Sequence, residues 1–387
     1  MIEALALGIL LGILTGLTPG IHSNTSATLI LSLSPTLSRY FSREELALIV
    51  FTNAIVHTFL DVIPTVFLGV PDEDTAVGIL PMHELALEGK GISACINSAF
   101  SSLGGFLLSL PFFYLILNVN LRGLDRLVPF VLIGVSVYLI GTEREFLEGR
   151  VKKVLQASTV FVLSGLLGYL CYGNYEMLLP LLTGLFASPI LLTSIFTSSN
   201  LKRQEVSFHD PKLRDLISGV FAGTFVSTFP SVSSGVASLV SSNHLKDNQR
   251  IVSAVSSANT SNAILCFAVF ISSGKVRSGA VSVFKELTPV FDPTKLVEIG
   301  LIVALISVLL TIAFAIVFGR FAERIKPSKL SFLVLSFNVA LIYTLTGGYG
   351  LFIFSLSTLV GILTVFFRVR RVNCMGSLIL PTILSYL

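Results

Sequence analysis

No tryptophan occurs among the 387 residues, histidine is limited to five and cysteine to four, and only 12% of the chain is charged. A soluble domain carries about a quarter charged residues, so the scarcity of charge, set against 53% hydrophobic residues, excludes an ordinary water-exposed surface. The chain reads as an integral membrane protein. Cys95, Cys171, Cys266 and Cys374 are dispersed in apolar surroundings, which gives neither a disulfide framework nor a CxxC metal site. A net charge of +4 spread over loops gives no nucleic-acid patch. The absence of HExxH, Walker A and GxGxxG patterns removes the usual signatures of a zinc hydrolase, a nucleotide-driven pump or a dinucleotide enzyme. Without tryptophan, tyrosine and phenylalanine are left to form any interfacial belt.

The apolar residues fall in runs of about 17 to 28 with no period-2 alternation, so the expected fold is an all-α polytopic membrane protein. Met1-Ile2-Glu3-Ala4 lacks the positive n-region of a signal peptide, and the first apolar stretch is expected to stay in the mature protein. Spanning helices are expected near 45–69, 92–118, 121–141, 151–171, 176–197, 250–271, 298–319, 328–346, 349–367 and 372–387. Two stretches do not read as single spans. Residues 2–37 are broken at Pro19-Gly20 and residues 214–242 at Pro230-Ser231, each as a re-entrant hairpin with two apolar arms and a polar turn. Irregular backbone at membrane depth is tolerated only where protein or a wet cavity surrounds it.

The two breaks are related. Gly8, Gly12, Gly16 and Pro19 recur as Gly219, Gly223, Ser227 and Pro230 at one offset of 211 residues. Polar segments within apolar spans follow both, Asn53 to Thr58 in one half and Ala258 to Asn262 in the other, at an offset of about 205. Five spans between the hairpins is an odd number, so the second enters from the opposite face, and the basic loops at 144–153, 202–214, 320–329 and 368–371 can then all be cytoplasmic. The expected architecture is an inverted repeat in a single integrated membrane domain, 1–387. Its pseudo-repeats cover about 1–200 and 210–387, each a re-entrant hairpin plus about five transmembrane helices, joined by the loop 199–214. Broken helices at corresponding places in two halves point to a transporter's substrate site.

Helix N-termini at hairpin tips suit an anionic group. The candidate contacts are Pro19, Gly20, His22, Ser23, Asn24 and Thr25 at the first break, and Pro230, Ser231, Ser233 and Ser234 at the second. Asn53, His57, Asn259, Thr260 and Asn262 complete the set from the polar spans. The serines and asparagines can equally cap the second arms. His57 and Asp61, four residues apart, share a helix face and form either a structural pair or a coupling site for H+ or Na+. Asp72 and Asp74 belong to an acidic run that reads as a solvated loop or a cation entry path. Gly8, Gly12 and Gly16 form a packing ridge. Neither a cofactor nor an enzymatic activity is expected.

The Gly-x-x-Pro-Gly hairpin at Gly16 to Gly20 resembles the large membrane subunit of the tripartite tricarboxylate transporters, the TctA-like permeases, in a divergent archaeal form. So do the polar span Asn53 to Asp61 leading to Pro71, Pro81 and Gly89-Lys90, and the Pro230 hairpin followed by Ala258 to Asn262. That resemblance implies a secondary active transporter of the cell membrane moving a di- or tricarboxylate under ion coupling. It also implies a small membrane subunit and an extracytoplasmic binding protein as partners. The hairpins also resemble those of proteins that recycle polyprenyl phosphate carriers, which makes a flippase for a lipid-linked phosphate the alternative.

Overall fold

The computed structural model describes residues 1–18, 21–69, 79–119, 123–143, 149–174, 177–196, 202–229, 247–324 and 326–386. Every regular element among them is helical. Among the described residues, seven helices are long and apolar enough to cross a membrane. The chain is a multi-pass membrane protein.

The first half opens with α1 (Ile2–Leu17) and α2 (Ser23–Leu37), the two arms expected around the break. Next come α3 (Arg43–Leu60) and α4 (Val62–Leu68), which together make one span with Asp61 at their junction. A capping box between Ser42 and Glu45 starts α3, whose residues from Leu46 to Leu60 are all buried. A short α5 (Ile79–Leu87) precedes α6 (Gly91–Asn118), and α7 (Val128–Gly141), α8 (Arg150–Leu170) and α9 (Leu178–Phe196) complete this half. A π-helical turn at Thr183–Ala187 interrupts α9. In the second half α10 (Leu213–Thr228) is the first arm of the expected second hairpin, whose remainder lies outside the described residues. Then follow α11 (Asn248–Ser273), α12 (Gly279–Leu287), α13 (Pro293–Ala322), α14 (Pro327–Phe367) and α15 (Gly376–Tyr386).

Five of the expected spans, 45–69, 92–118, 151–171, 176–197 and 250–271, match their helices to within two residues at each end. Two others are shorter than expected. Residues 121–141 yield only the 14 residues of α7, because Gly123 takes a positive φ, a 3₁₀ turn covers Leu124–Leu127 and Pro129 sets the helix start. Residues 372–387 yield an 11-residue α15 after a 3₁₀ turn at Arg371–Met375. At 1.5 Å per residue these reach about 21 and 16 Å, short of a hydrocarbon core of about 30 Å. The spans expected at 328–346 and 349–367 are the two parts of α14, divided at Gly347. There φ is 65° and ψ is −158°, a conformation open essentially to glycine alone.

The glycine ridges set the closest helix contacts. A Cβ on Gly8, Gly12 or Gly16 would lie 2.6, 2.4 or 2.7 Å from the Cβ of Thr52, Val56 or Leu60, so α1 meets α3 almost backbone to backbone. In the same way α10 lies on α11, where a Cβ on Gly219 or Gly223 would fall 2.5 or 2.7 Å from the carbonyl oxygens of Ala254 and Ala258. The carbonyls beneath Gly8 and Gly12 are those of Ile49 and Asn53. Ridge and floor therefore correspond residue for residue in the two halves, at the offsets of 211 and 205 read from the sequence.

Contacts divide the chain into two compact units. One contains α1 to α6 and α10 to α13; the other contains α7 to α9, α14 and α15. In the first unit a buried polar layer joins α6 to α11. Asn97 Nδ2 donates to Gln249 O (2.8 Å) and Oε1 (2.9 Å), Ser253 Oγ donates to Asn97 Oδ1 (2.9 Å), and the Ser98 and Ser256 hydroxyls meet at 2.8 Å. The loop leading to α10 is strapped to this unit at Gln204. Its Oε1 accepts the Gly91 N–H, its Nε2 donates to Ala86 O, and its own N–H donates to Glu323 Oε1, each at 2.8 Å. That N–H, with Arg320 beside it, holds the Glu323 carboxyl below its ordinary range.

In the second unit, Lys153 is buried and donates through Nζ to Phe367 O at the end of α14. Buried Glu143 accepts from Arg370 Nε (3.1 Å) and Asn373 Nδ2 (2.6 Å). Both charges are thus hydrogen-bonded where they are buried.

Candidate functional site

The break after α1 forces α2 to begin beside the polar face of α3. His22 is the N-cap of α2: its Nδ1 accepts the Asn24 N–H at 3.1 Å, which puts the proton of a neutral ring on Nε2. Behind it runs a buried chain of side chains. Asn53 Nδ2 donates to Ser26 Oγ (2.6 Å), so its Oδ1 is the acceptor for the Thr15 hydroxyl (3.1 Å). With the Thr15 proton so used, His57 Nδ1 donates to Thr15 Oγ1 (3.1 Å), and the sequence of donors fixes the tautomer. The His22 and His57 rings meet edge to face with centroids 5.0 Å apart.

The second half supplies the facing wall. Asn259 Nδ2 donates to Asp61 Oδ2 at 2.7 Å, and the Thr58 and Thr260 hydroxyls meet at 3.2 Å. All four residues are buried, so these groups pair across the two spans inside an apolar core, with Asn259 Oδ1 left without a hydrogen-bond partner. A third wall comes from α12. Ser278 caps it by accepting the Val281 N–H, and Asn24 Oδ1 accepts the Ala280 N–H at 2.9 Å. Gly279 admits this contact, since a Cβ there would lie 2.9 to 3.1 Å from the Asn24 side chain.

These elements line a partly open cavity of about 40 Å³, room for a few waters or one small polar group. His22, Ser23, Asn24, His57, Asn259 and Asn262 line it, with Thr58 and Ser278 beside them. The first turns of α2 and α12 both open onto it, so two positive helix ends and two imidazoles surround one space.

Of the residues singled out in the sequence, the structure therefore gathers those six. Asn53 and Asp61 sit one contact behind, holding the lining residues in place. Thr260 faces Thr58 and does not line the cavity, nor does Thr25. Pro19, Gly20, Asp72, Asp74, Pro230, Ser231, Ser233 and Ser234 lie outside the described residues. Thr15, Ser278 and Ala280 were not anticipated. The available signal for the last two was the Ser278-Gly279 start of an amphipathic run, a cap followed by Val281, Phe284 and Leu287.

The chain's residues 2–376 match a family model described as the tripartite tricarboxylate transporter TctA family. An uncharacterised protein of Methanocaldococcus jannaschii is 30% identical over 99% of this chain and 98% of its own length. No solved structure matches the chain.

Proposed function

Because the chain belongs to the tripartite tricarboxylate transporter TctA family, we propose that it carries a di- or tricarboxylate across the cell membrane by ion-coupled alternating access. Membership makes it a permease of the tricarboxylate-transporter type. The observation that carries the finer reading is the cavity. Two helix N-termini and the His22 and His57 rings face a space too apolar at its back to leave an anion unmatched, and they supply donors without a lysine or arginine to desolvate.

The proposal includes the inverted repeat. Its support is the order of the helices: 16 residues in α1 and α10, 26 in the α3–α4 span and α11, nine in α5 and α12, 28 and 30 in α6 and α13. Matching glycine registers and two units that each draw a segment from both halves point the same way. Walls contributed by both halves are what alternating access moves against each other. Asp61 is the proposed coupling residue, with H+ or Na+ as its ion, because it is a buried carboxylate one contact from the cavity. Asp72 and Asp74 remain proposed as an entry path. A small membrane subunit and an extracytoplasmic binding protein are the proposed partners, in keeping with a tripartite family. The protein acts without covalent chemistry. The lipid-carrier reading draws no support from the family.

The test is uptake of radiolabelled citrate and succinate into proteoliposomes holding the protein, with and without a Na+ or pH gradient. Accumulation that collapses with the gradient is the expected result. Absence of gradient-linked uptake, with the binding protein and small subunit also supplied, would overturn the reading.

A further inference from the structure

Two consecutive arginines follow the end of α14 and are held quite differently. Arg370 Nε donates to Glu143 Oε1 at 3.1 Å, and its Nη2 donates to Leu139 O and Thr142 Oγ1, each at 2.8 Å. Arg371, which opens the next 3₁₀ turn, is also part-buried, yet its side chain makes no hydrogen bond or ion pair among the described residues. Glu143 is committed to Arg370 and Asn373. The side chain that Arg371 does approach is Cys374, which carries no charge at neutral pH because burial pushes its thiol up to about 12. Burial also pushes the Arg371 guanidinium below its ordinary value, but an arginine keeps its charge at neutral pH. A desolvated charge without a partner is costly, so the chain here presents a cation to an anion that it does not itself supply.

Other basic residues stand around it. Lys153 Nζ donates to Phe367 O, which brings the first turn of α8, with exposed Arg150 and Lys152, against the end of α14. Arg368 follows Phe367 and is exposed, with φ 51° and ψ 43°, so a charged side chain is kept where glycine would be free of strain. The adjoining loop adds Arg144, Glu145 and Glu148 in sequence and lies outside the described residues. Apolar side chains border these charges: Phe366, Val151 and Leu155 are 79, 74 and 63% exposed. A soluble anion has no use for that border, whereas a phospholipid brings acyl chains to it and a phosphate to the arginines. We infer that this corner of the second unit binds an anionic phospholipid, its phosphate on the Arg371 guanidinium and its headgroup rimmed by Arg368, Arg150 and Lys152. The planar fork of an arginine matches two phosphate oxygens. Every residue lining the cavity belongs to the first unit, so the lipid is a fixed ligand and not cargo, and the inference stands apart from the transport reading.

The experiment uses the purified full-length protein in a non-ionic detergent, titrated with phosphatidylglycerol, phosphatidylcholine or free glycerol phosphate, with affinities read from thermal stabilisation. Phosphatidylglycerol is expected to bind at least about tenfold more tightly than phosphatidylcholine, whose choline already balances its phosphate, and than glycerol phosphate, which lacks the acyl chains. Arg371→Gln is expected to weaken phosphatidylglycerol binding by about tenfold or more, the loss of charge-assisted hydrogen bonds. Without lipid, that variant should melt close to the original protein, because the guanidinium has no partner to lose. Lys326→Gln, which removes an exposed charge at the start of α14, should weaken the lipid far less. Arg368→Gly, at a backbone conformation that suits glycine, gives the same readout where the glutamine variant does not fold. Equal affinities for the two phospholipids overturn the inference, as do equal losses from Arg371→Gln and Lys326→Gln. So does glycerol phosphate binding as tightly as the whole lipid, which would assign Arg371 to a soluble anion.

Discussion

Asn259 and Asp61 lie 198 residues apart in sequence and 2.7 Å apart in space, amide donor to carboxylate acceptor, both buried. With Thr58 and Thr260 beside them, they join the polar span of the first half to that of the second. The pair helps explain why two stretches of amides and hydroxyls can persist in largely apolar spans: Asn259 and Thr260 on one supply partners for buried Asp61 and Thr58 on the other.

Loss of that donor should be felt at once. Asn259→Leu leaves a buried carboxylate short of its hydrogen bond and is expected to lower stability by about 2–3 kcal/mol. Asp61→Asn keeps the shape without the charge, so it should fold normally while uptake becomes insensitive to the ion gradient. Denaturation of both variants, set beside gradient-driven transport, separates the two effects. Retained coupling in a folded Asp61→Asn protein would remove Asp61 from the ion path.

The glycine ridges allow a paired comparison. Gly12→Val and Gly223→Val each place carbon where Val56 or the Ala258 carbonyl and Ser261 hydroxyl already stand, and overpacking of about 1–3 kcal/mol is expected from each. Gly134→Ala, within α7 and with open space around its Cβ, should be neutral or slightly stabilising. Melting temperatures in one detergent decide the matter; equal shifts for all three would contradict the close contact of α1 with α3 and α10 with α11.

Thr15 is expected to matter through His57 and Asn53. Thr15→Val removes the hydroxyl that takes the His57 proton and gives its own to Asn53, at a cost of about 1 kcal/mol for each bond. Uptake at low substrate concentration should fall several-fold, and Thr15→Ser should restore it. An unchanged rate in Thr15→Val would show that the tautomer of His57 has no bearing on transport.

The strap at Gln204 carries a pH dependence of known sign. Glu323 has its carboxyl lowered from 4.5 by the Gln204 N–H and Arg320, so the stabilisation is complete above the ordinary carboxylate value and is lost as pH falls through the lowered one. Exchange of the Gln204 amide proton should therefore quicken under acid, after correction for intrinsic rates, and Glu323→Gln should make it quick at every pH. A Glu323→Gln protein as protected as the original would contradict this.

How much of this the sequence discloses depends on the scale of the signal. Spans such as Gly91–Asn118 and Arg150–Leu170 are long unbroken apolar runs, legible because a bilayer demands them. The nine-residue α12 contributes a wall of the cavity yet is too short to register as a span, and its place beside Asn24 depends on residues 256 positions apart. Asn97 stood out little in the long run of α6, because nothing local marks its partner as Gln249 on α11. His22 showed its residue type but not its role; the cap it forms is settled by where α2 begins. Glycine spacing was the exception, a local pattern whose three-dimensional meaning survived intact, because an absent side chain has few uses in a buried helix face other than close approach.

Gly347 bears on length. Forty-one residues of unbroken α-helix would extend about 61 Å, twice the thickness of a bilayer's hydrocarbon, leaving a rod with half its apolar surface in water. The residue has nothing within 4 Å of where a Cβ would stand, so no neighbour forbids a larger side chain. Its constraint is purely torsional. One residue's freedom to adopt a dihedral pair closed to the rest divides a helix too long for any membrane into two of about 30 Å, each matched to one crossing.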